Sequence, residues 1–113
     1  MGALFLVQTR CTDPAREEEF NRWYDTVHVP DVLAAEGVVA AQRFKLAGRP
    51  PENAPNVQYL AIYELEGDDP RPALRNIQAE VQKATAAGRM IDCLEIVSAT
   101  TFVPLGPRQE ARR

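Results

Sequence analysis

The stretch Phe20-Asn21-Arg22-Trp23-Tyr24-Asp25-Thr26-Val27-His28-Val29-Pro30 decides how this 113-residue chain is interpreted. It contains the only tryptophan and the only histidine of the sequence. Its apolar and aromatic residues recur with the 3.6-residue period of one helical face, and they are Phe20, Trp23, Tyr24, Val27 and His28. We therefore predict an amphipathic helix whose buried face carries His28.

The end of this helix is set by a proline. Pro30 disfavours helical backbone at Val29, which predicts that the helix breaks near His28. A short second helical piece over residues 30–36 should then end at Gly37. The sequence thus predicts that His28 lies on the buried face, at a helix end and beside a break.

The rest of the chain supplies four strands and one further helix. Strands are predicted over residues 3–11, 38–46, 57–66 and 91–103, and the helix over residues 69–88. This order is that of an α+β, ferredoxin-like βαββαβ fold, with a four-stranded antiparallel sheet and both helices on one face. We interpret residues 1–104 as a single domain and residues 105–113 as a flexible C-terminal tail.

Apolar residues occur on both faces of the predicted strands. In the third strand, Tyr59 and Tyr63 point to one face, whereas Leu60 and Ile62 point to the other. The two helices can cover only one face, and an exposed apolar sheet is an association surface. A second copy packed sheet on sheet around a two-fold axis would bury it, so we expect a homodimer.

Charge and motifs exclude several function classes. The net charge of −3 argues against a nucleic-acid partner, and no apolar run is long enough to span a membrane. The N-terminal segment has the pattern of a strand rather than a signal peptide, so we expect a cytoplasmic protein. The sequence contains neither G-x-G-x-x-G nor a Walker A motif, and we expect no cofactor.

The two cysteines lack metal-ligand spacing, so we expect no metal site. Cys11 ends the first predicted strand and Cys93 begins the last one. These strands are antiparallel neighbours in a ferredoxin-like sheet, so we expect the two cysteines to lie close together as free thiols.

The segment from Trp23 to Pro30, followed by Gly37 and then by Arg43-Phe44, resembles the EthD-like group of the dimeric α+β barrel superfamily. The resemblance extends over residues 3–103. It implies a homodimer with a pocket in each subunit, lined by the first helix and the sheet, and it places His28 at the histidine of the motif. The superfamily includes antibiotic-biosynthesis monooxygenases, muconolactone isomerases, polyketide cyclases and haem-degrading enzymes, so the fold does not select a reaction.

Seven residues are candidates for the functional site. The catalytic candidates are His28, Asp25 and Tyr24, and the substrate-binding candidates are Trp23, Arg43, Tyr59 and Tyr63. His28 can act as a general acid or base because the ordinary pKa of histidine is about 6.5. Asp25 or Asp31 would orient its ring. The alternative is a structural histidine that caps a helix C-terminus.

The other candidates also have structural interpretations. Trp23 and Tyr24 fit a helix core, and the two strand tyrosines fit a dimer interface. Arg43, if buried, needs a carboxylate partner or an anionic ligand, and the alternative is a salt bridge on an edge strand.

These observations lead to one leading hypothesis and two alternatives. The leading hypothesis is a small cofactor-independent enzyme that acts on an apolar aromatic or polyketide-like molecule. His28 would assist proton transfer in a lyase, cyclase, dehydratase or isomerase reaction. The first alternative is a non-catalytic ligand-binding or stress-related barrel. The second is a monooxygenase without a metal or a haem-degrading barrel, with His28 as iron ligand in the haem case.

Overall fold

The computed structural model describes residues 2–53 and 56–113, so Met1, Ala54 and Pro55 of the predicted domain lie outside the described residues. The strands are β1 (Leu4–Cys11), β2 (Val38–Lys45), β3 (Tyr59–Leu65) and β4 (Leu94–Phe102). The helices are α1 (Glu17–Trp23), α2 (Val29–Leu33) and α3 (Arg71–Ala86). A 3-10 turn over Pro14–Arg16 precedes α1, and a single π-helical turn over Tyr24–His28, called the π turn below, joins α1 to α2.

The four strands form one antiparallel sheet in the order β2-β3-β1-β4. The central strand β1 pairs with both β3 and β4, and its register against β4 shifts between Gln8 and Thr9. All helices lie on one face, because α1 packs on Tyr59 through Phe20, and Tyr63, on the same face, shares a cleft with α2 and α3. The predicted ferredoxin-like α+β fold is confirmed.

The predicted helix break before Pro30 is wrong. Val29 has helical dihedral angles, φ −59° and ψ −47°, and its N–H donates to the carbonyl of Tyr24 five residues earlier. This wider hydrogen-bond spacing is that of a π turn, which inserts one extra residue into the helix. The chain therefore continues from α1 into α2 through Pro30, and His28 lies inside a continuous helical segment rather than at its end.

The helical piece predicted over residues 30–36 is shorter than expected, because α2 ends at Leu33 and Gly37 lies in the turn that follows it. Glycine at this position has two physical reasons. Gly37 has φ +99°, in the left-handed region that side chains disfavour. A Cβ atom at this position would also lie 2.8 Å from the Cβ of Ala73 in α3. The turn after α2 therefore needs glycine for its backbone angle and for its close approach to α3.

The helix-covered face of the sheet holds the core, and the opposite face, called the open face below, does not. Phe20, Tyr24, Tyr63 and Leu65 are fully buried between helices and sheet. The open face carries the apolar side chains of Leu4, Leu6, Phe44, Leu60, Ile62 and Phe102. Three of these six are exposed, and Phe102 is 55% accessible.

The two cysteines meet at one end of the β1–β4 pair. Both are buried free thiols. Cys11 lies opposite Leu94 in the register, and the N–H of Thr12 donates to the carbonyl of Cys93 at 2.8 Å. Their predicted proximity is confirmed.

The longest described helix, α3, has 16 residues. None of the helices in residues 2–53 and 56–113 has the length and apolar character needed to cross a membrane.

Candidate functional site

A cleft of about 420 Å³ lies between the helices and the covered face of the sheet. Its walls are mostly apolar, and they include Phe5, Val7, Val32, Leu74, Ile77 and Val81. His28 enters it from the π turn, so the first helical segment forms one wall as expected. The opposite wall is α3. A mostly apolar concave site with a few polar groups is the usual form of a small-molecule site.

A larger hollow, of about 810 Å³, lies beside the C-terminal tail and is lined by Asp68 and Leu105 among others. Apart from Asp68, its lining is exposed chain beyond β4, and none of the candidate residues lines it. The smaller cleft, which contains His28 and Tyr63, is therefore the better candidate site.

His28 is only 9% accessible, and its Nδ1 atom is buried without a hydrogen-bond partner in the described part of the chain. Burial lowers the pKa of His28 below its ordinary 6.5, and the charge of Arg43 adds to this effect. The nearby carboxylate of Asp31 acts in the opposite direction. The net lowering keeps the imidazole neutral at pH 7, which is the form that accepts a proton.

Two aromatic rings fix the orientation of the His28 ring. The imidazole stacks on the indole of Trp23, with centroids 5.0 Å apart and an angle of 19° between the planes. The ring of Tyr24 meets the imidazole edge-on, also at 5.0 Å. Trp23 is itself anchored, because its Nε1–H donates to the carbonyl of Arg89 at 2.7 Å.

Asp31, one of the two carboxylates expected to orient His28, is bound to a different partner. Both oxygens of its carboxylate accept hydrogen bonds from the Arg89 guanidinium, each at 2.9 Å. This interaction lowers the pKa of Asp31. Asp31 therefore acts on His28 through its negative charge, while Arg89 links Asp31 to the Trp23 indole.

Three hydroxyl groups lie together on the sheet side of His28. Those of Tyr63 and Thr9 approach that of Tyr24. The Tyr63 hydroxyl and Thr9 Oγ1 are nevertheless buried and make no hydrogen bond of acceptable geometry to any described residue. Burial raises the pKa of both tyrosines. Both phenols therefore stay protonated at neutral pH, and Tyr63 also lines the cleft.

Asp25, Arg43 and Tyr59 form a second cluster away from the cleft lining. The guanidinium carbon of Arg43 lies 4.1 Å from the centre of the Tyr24 ring, and Nη1 donates to Asp25 Oδ1 at 2.9 Å. The Tyr59 hydroxyl donates to Glu17 at 2.9 Å. Asp25 therefore pairs with Arg43, and this geometry corrects the expectation that it orients His28.

Of the seven candidates, His28 and Tyr63 line the cleft, whereas Trp23 and Tyr24 contact the His28 ring without lining it. Sequence reasoning missed Gln78 and Gln82 of α3, which also line it. They lie one turn apart and flank Val81, at the border of the apolar face of that helix. Polar residues at such a border were a signal for the mouth of a cleft.

No group of three or more His, Cys, Asp or Glu side chains suited to a metal ion occurs among the residues that the structure describes. The cleft itself contains one residue of these types, His28.

Comparison with known proteins gives a likeness of fold. No protein-family model and no curated protein match the sequence significantly. Among solved structures, HapK from Hahella chejuensis aligns with a TM-score of 0.66 at 19% identity, over 97% of this chain and 99% of that one. A dimeric ferredoxin-like protein from an uncultured marine organism aligns with a TM-score of 0.62 at 14% identity, over 97% and 100% of the two chains.

An EthD family protein from Bacillus halodurans aligns with a TM-score of 0.60 at 14% identity, over 93% of this chain and 100% of that one. The chain thus has the fold of EthD-like dimeric α+β barrel proteins, in agreement with the resemblance seen in the sequence. At these identities the likeness carries the fold alone.

Proposed function

We propose that this protein binds an apolar aromatic or polyketide-like molecule in the cleft and catalyses a proton transfer on it, as a lyase, cyclase or isomerase. The observation that carries the proposal is that His28 lines a mostly apolar cleft while its buried Nδ1 atom has no hydrogen-bond partner among the described residues. A buried polar atom without a partner costs free energy. A ligand that hydrogen-bonds this nitrogen recovers that cost.

The proposed chemistry starts with a neutral imidazole. His28 removes a proton from a carbon next to a ligand carbonyl group, and negative charge develops on the carbonyl oxygen. The Tyr63 hydroxyl donates a hydrogen bond to that oxygen and stabilises the charge. The imidazolium then returns the proton to another atom of the ligand. Trp23 and Tyr24 hold the ring in place during both steps.

We also propose that two copies pack through their open faces. Leu6 and Ile62 are neighbours at the centre of this face, and all helices lie on the other side of the sheet. A second copy would bury the exposed Phe44 and Phe102 as well. A solved structure of similar fold is described as a dimeric ferredoxin-like protein, which supports a dimer.

A model ketone tests the proposed reaction. β-Tetralone is a flat, apolar ketone whose α-protons exchange in deuterium oxide, and the exchange is followed by proton NMR. We expect the protein to accelerate this exchange and the His28→Gln variant to lose about 10²–10⁴-fold of the acceleration, as for other general bases. Tyr63→Phe should lose a smaller factor, because it removes only the hydrogen bond to the developing charge.

Thr85→Ala serves as the matched control, since Thr85 is exposed on α3 and its hydroxyl only bonds the Val81 carbonyl. The Thr85→Ala variant should accelerate exchange of the β-tetralone α-protons as much as the wild type does. Full exchange activity in folded His28→Gln would refute the proposed role of His28.

A non-catalytic ligand-binding barrel is the second candidate. It is favoured by one observation, that no carboxylate hydrogen-bonds the His28 ring within the described residues. Saturable binding of β-tetralone without accelerated exchange would select this candidate.

A further inference from the structure

We infer that the ligand is uncharged and carries two separate polar groups, the outer of which is held by Gln78 and Gln82 at the mouth of the cleft. This inference rests on the proposed function, since it defines the class of molecule that occupies the same cleft.

The described lining of the cleft carries no carboxylate, ammonium or guanidinium group. The charged groups near it are already paired, Arg89 with Asp31 and Arg43 with Asp25. A ligand carboxylate or phosphate would lose its hydration in the cleft without gaining a cation. Anionic ligands are therefore disfavoured, and so are cationic ones.

The polar residues of the lining differ in their burial. His28 and Tyr63 are buried and mark the inner end of the cleft. Gln78 and Gln82 are exposed residues of α3 and mark the outer end. The walls between the two ends are apolar, with Leu74 and Ile77 among them. The cleft is thus polar at both ends and apolar between them.

The two glutamines are suited to recognise a neutral oxygen function. They lie four residues apart, so their side chains are neighbours on one face of the helix. Each amide offers two N–H donors and one carbonyl acceptor, so the pair can bind a hydroxyl or a ketone without a charge. The ligand class is therefore a neutral aromatic or polyketide-like compound. Its ketone or phenol lies at the reacting end, and a second hydroxyl or carbonyl lies at the far end.

Three naphthalene probes test this inference by calorimetry at pH 7. They are β-naphthol, β-naphthoic acid, which is anionic at this pH, and a naphthalene diol with its hydroxyls at opposite ends of the ring system. We expect the diol to bind about 3–10-fold tighter than β-naphthol, which is the gain from one net hydrogen bond. We expect the carboxylate to bind at least about tenfold more weakly than β-naphthol.

The variant Gln78→Leu/Gln82→Leu separates the outer polar end from the rest of the cleft. It should abolish the advantage of the diol and leave the affinity for β-naphthol within about twofold. Thr85→Val, at an exposed position on the same helix, is the matched control and should keep the advantage of the diol. Both positions of the double variant are exposed, and its melting temperature verifies that it is folded.

The inference is overturned if the carboxylate binds as tightly as β-naphthol, if the double variant keeps the preference for the diol, or if none of the three probes binds at millimolar concentration. The comparison of β-naphthoic acid with β-naphthol needs only the wild-type protein. It therefore tests the inference even if the double variant does not fold. Loss of probe selectivity with intact exchange of β-tetralone refutes this inference alone. Intact selectivity without exchange refutes the proposed catalysis.

Discussion

The imidazole of His28 stacks on the indole of Trp23, five residues earlier in the chain, with ring centroids 5.0 Å apart. In a regular α-helix two residues at this spacing point about 140° apart around the axis. The π turn over Tyr24–His28 contains an extra residue per turn and brings such positions closer together. The π turn is therefore what assembles the candidate site, in keeping with the frequent occurrence of π turns at functional sites.

The pKa of His28 is expected to lie below 6.5, because burial disfavours the charged ring. Since His28 is the only histidine, its ring protons give isolated NMR signals that can be titrated without assignment. The titration midpoint of the folded protein should lie below that of the protein unfolded in urea. A midpoint at or above the unfolded value would show that Asp31 outweighs burial.

The free energy of unfolding should depend on pH through the same group. With a lowered pKa in the folded state, the unfolded chain binds more protons between the folded pKa and 6.5. Stability is therefore fully present above pH 6.5 and decreases as the pH falls through this window. Urea unfolding at several pH values should show a flatter dependence for His28→Gln than for the wild type. If the free energy of unfolding changed equally with pH in the two proteins, His28 would be excluded as the source of the pH dependence.

The sheet was predictable from sequence, whereas the contacts of the site were not. The strands and helices follow from local patterns of apolar residues, but these patterns did not tell which face of β3 the helices cover. Tyr59 and Tyr63, which also fitted a dimer interface, lie on the covered face, and Leu60 and Ile62 lie on the open one. The helix break at Pro30 was wrong because a π turn depends on how Trp23 and His28 pack, which has no local sequence signal. Asp25 in the π turn pairs with Arg43 of β2. Which partner Asp25 takes depends on how the helical segment packs on the sheet.

The Arg43 cluster should contribute stability rather than catalysis. The Arg43 side chain is 13% exposed and lies over the Tyr24 ring, whereas Asp25 is 61% exposed. Arg43→Met should lower the free energy of unfolding by about 1–3 kcal/mol through lost cation–π contact and hydrogen bonds. Asp25→Asn should cost only about 0–1 kcal/mol, since exposed ion pairs contribute little. Urea unfolding measures both changes.

The same two variants separate this cluster from the cleft. The folded Arg43→Met and Asp25→Asn variants should both accelerate exchange of the β-tetralone α-protons to nearly the wild-type rate. A loss of exchange in Asp25→Asn comparable to that in His28→Gln would restore a catalytic role for Asp25.

The thiols of Cys11 and Cys93 should be unreactive in the folded protein. Both are buried, and burial together with the neighbouring Cys11 thiol raises the pKa of Cys93. The thiolate is the reactive form, so a raised pKa and poor access both slow its reactions. Ellman's reagent should label the two thiols much more slowly in the native protein than in urea. Rapid labelling of the native protein at neutral pH would contradict this expectation.

A charge at the centre of the open face should dissociate the proposed dimer. Ile62 lies between Leu6 of β1 and Gln42 of β2 in the sheet register, so Ile62→Glu introduces a carboxylate into the centre of the proposed interface. Burying it there, close to its symmetry-related copy, would cost more than the apolar contacts it replaces.

Light scattering at micromolar concentration should give twice the mass of one chain for the wild type and for Ile62→Val. It should give the mass of a single chain for Ile62→Glu, with an unchanged circular dichroism spectrum. A monomeric wild type, or a fully dimeric Ile62→Glu, would mean that the open face has a different role.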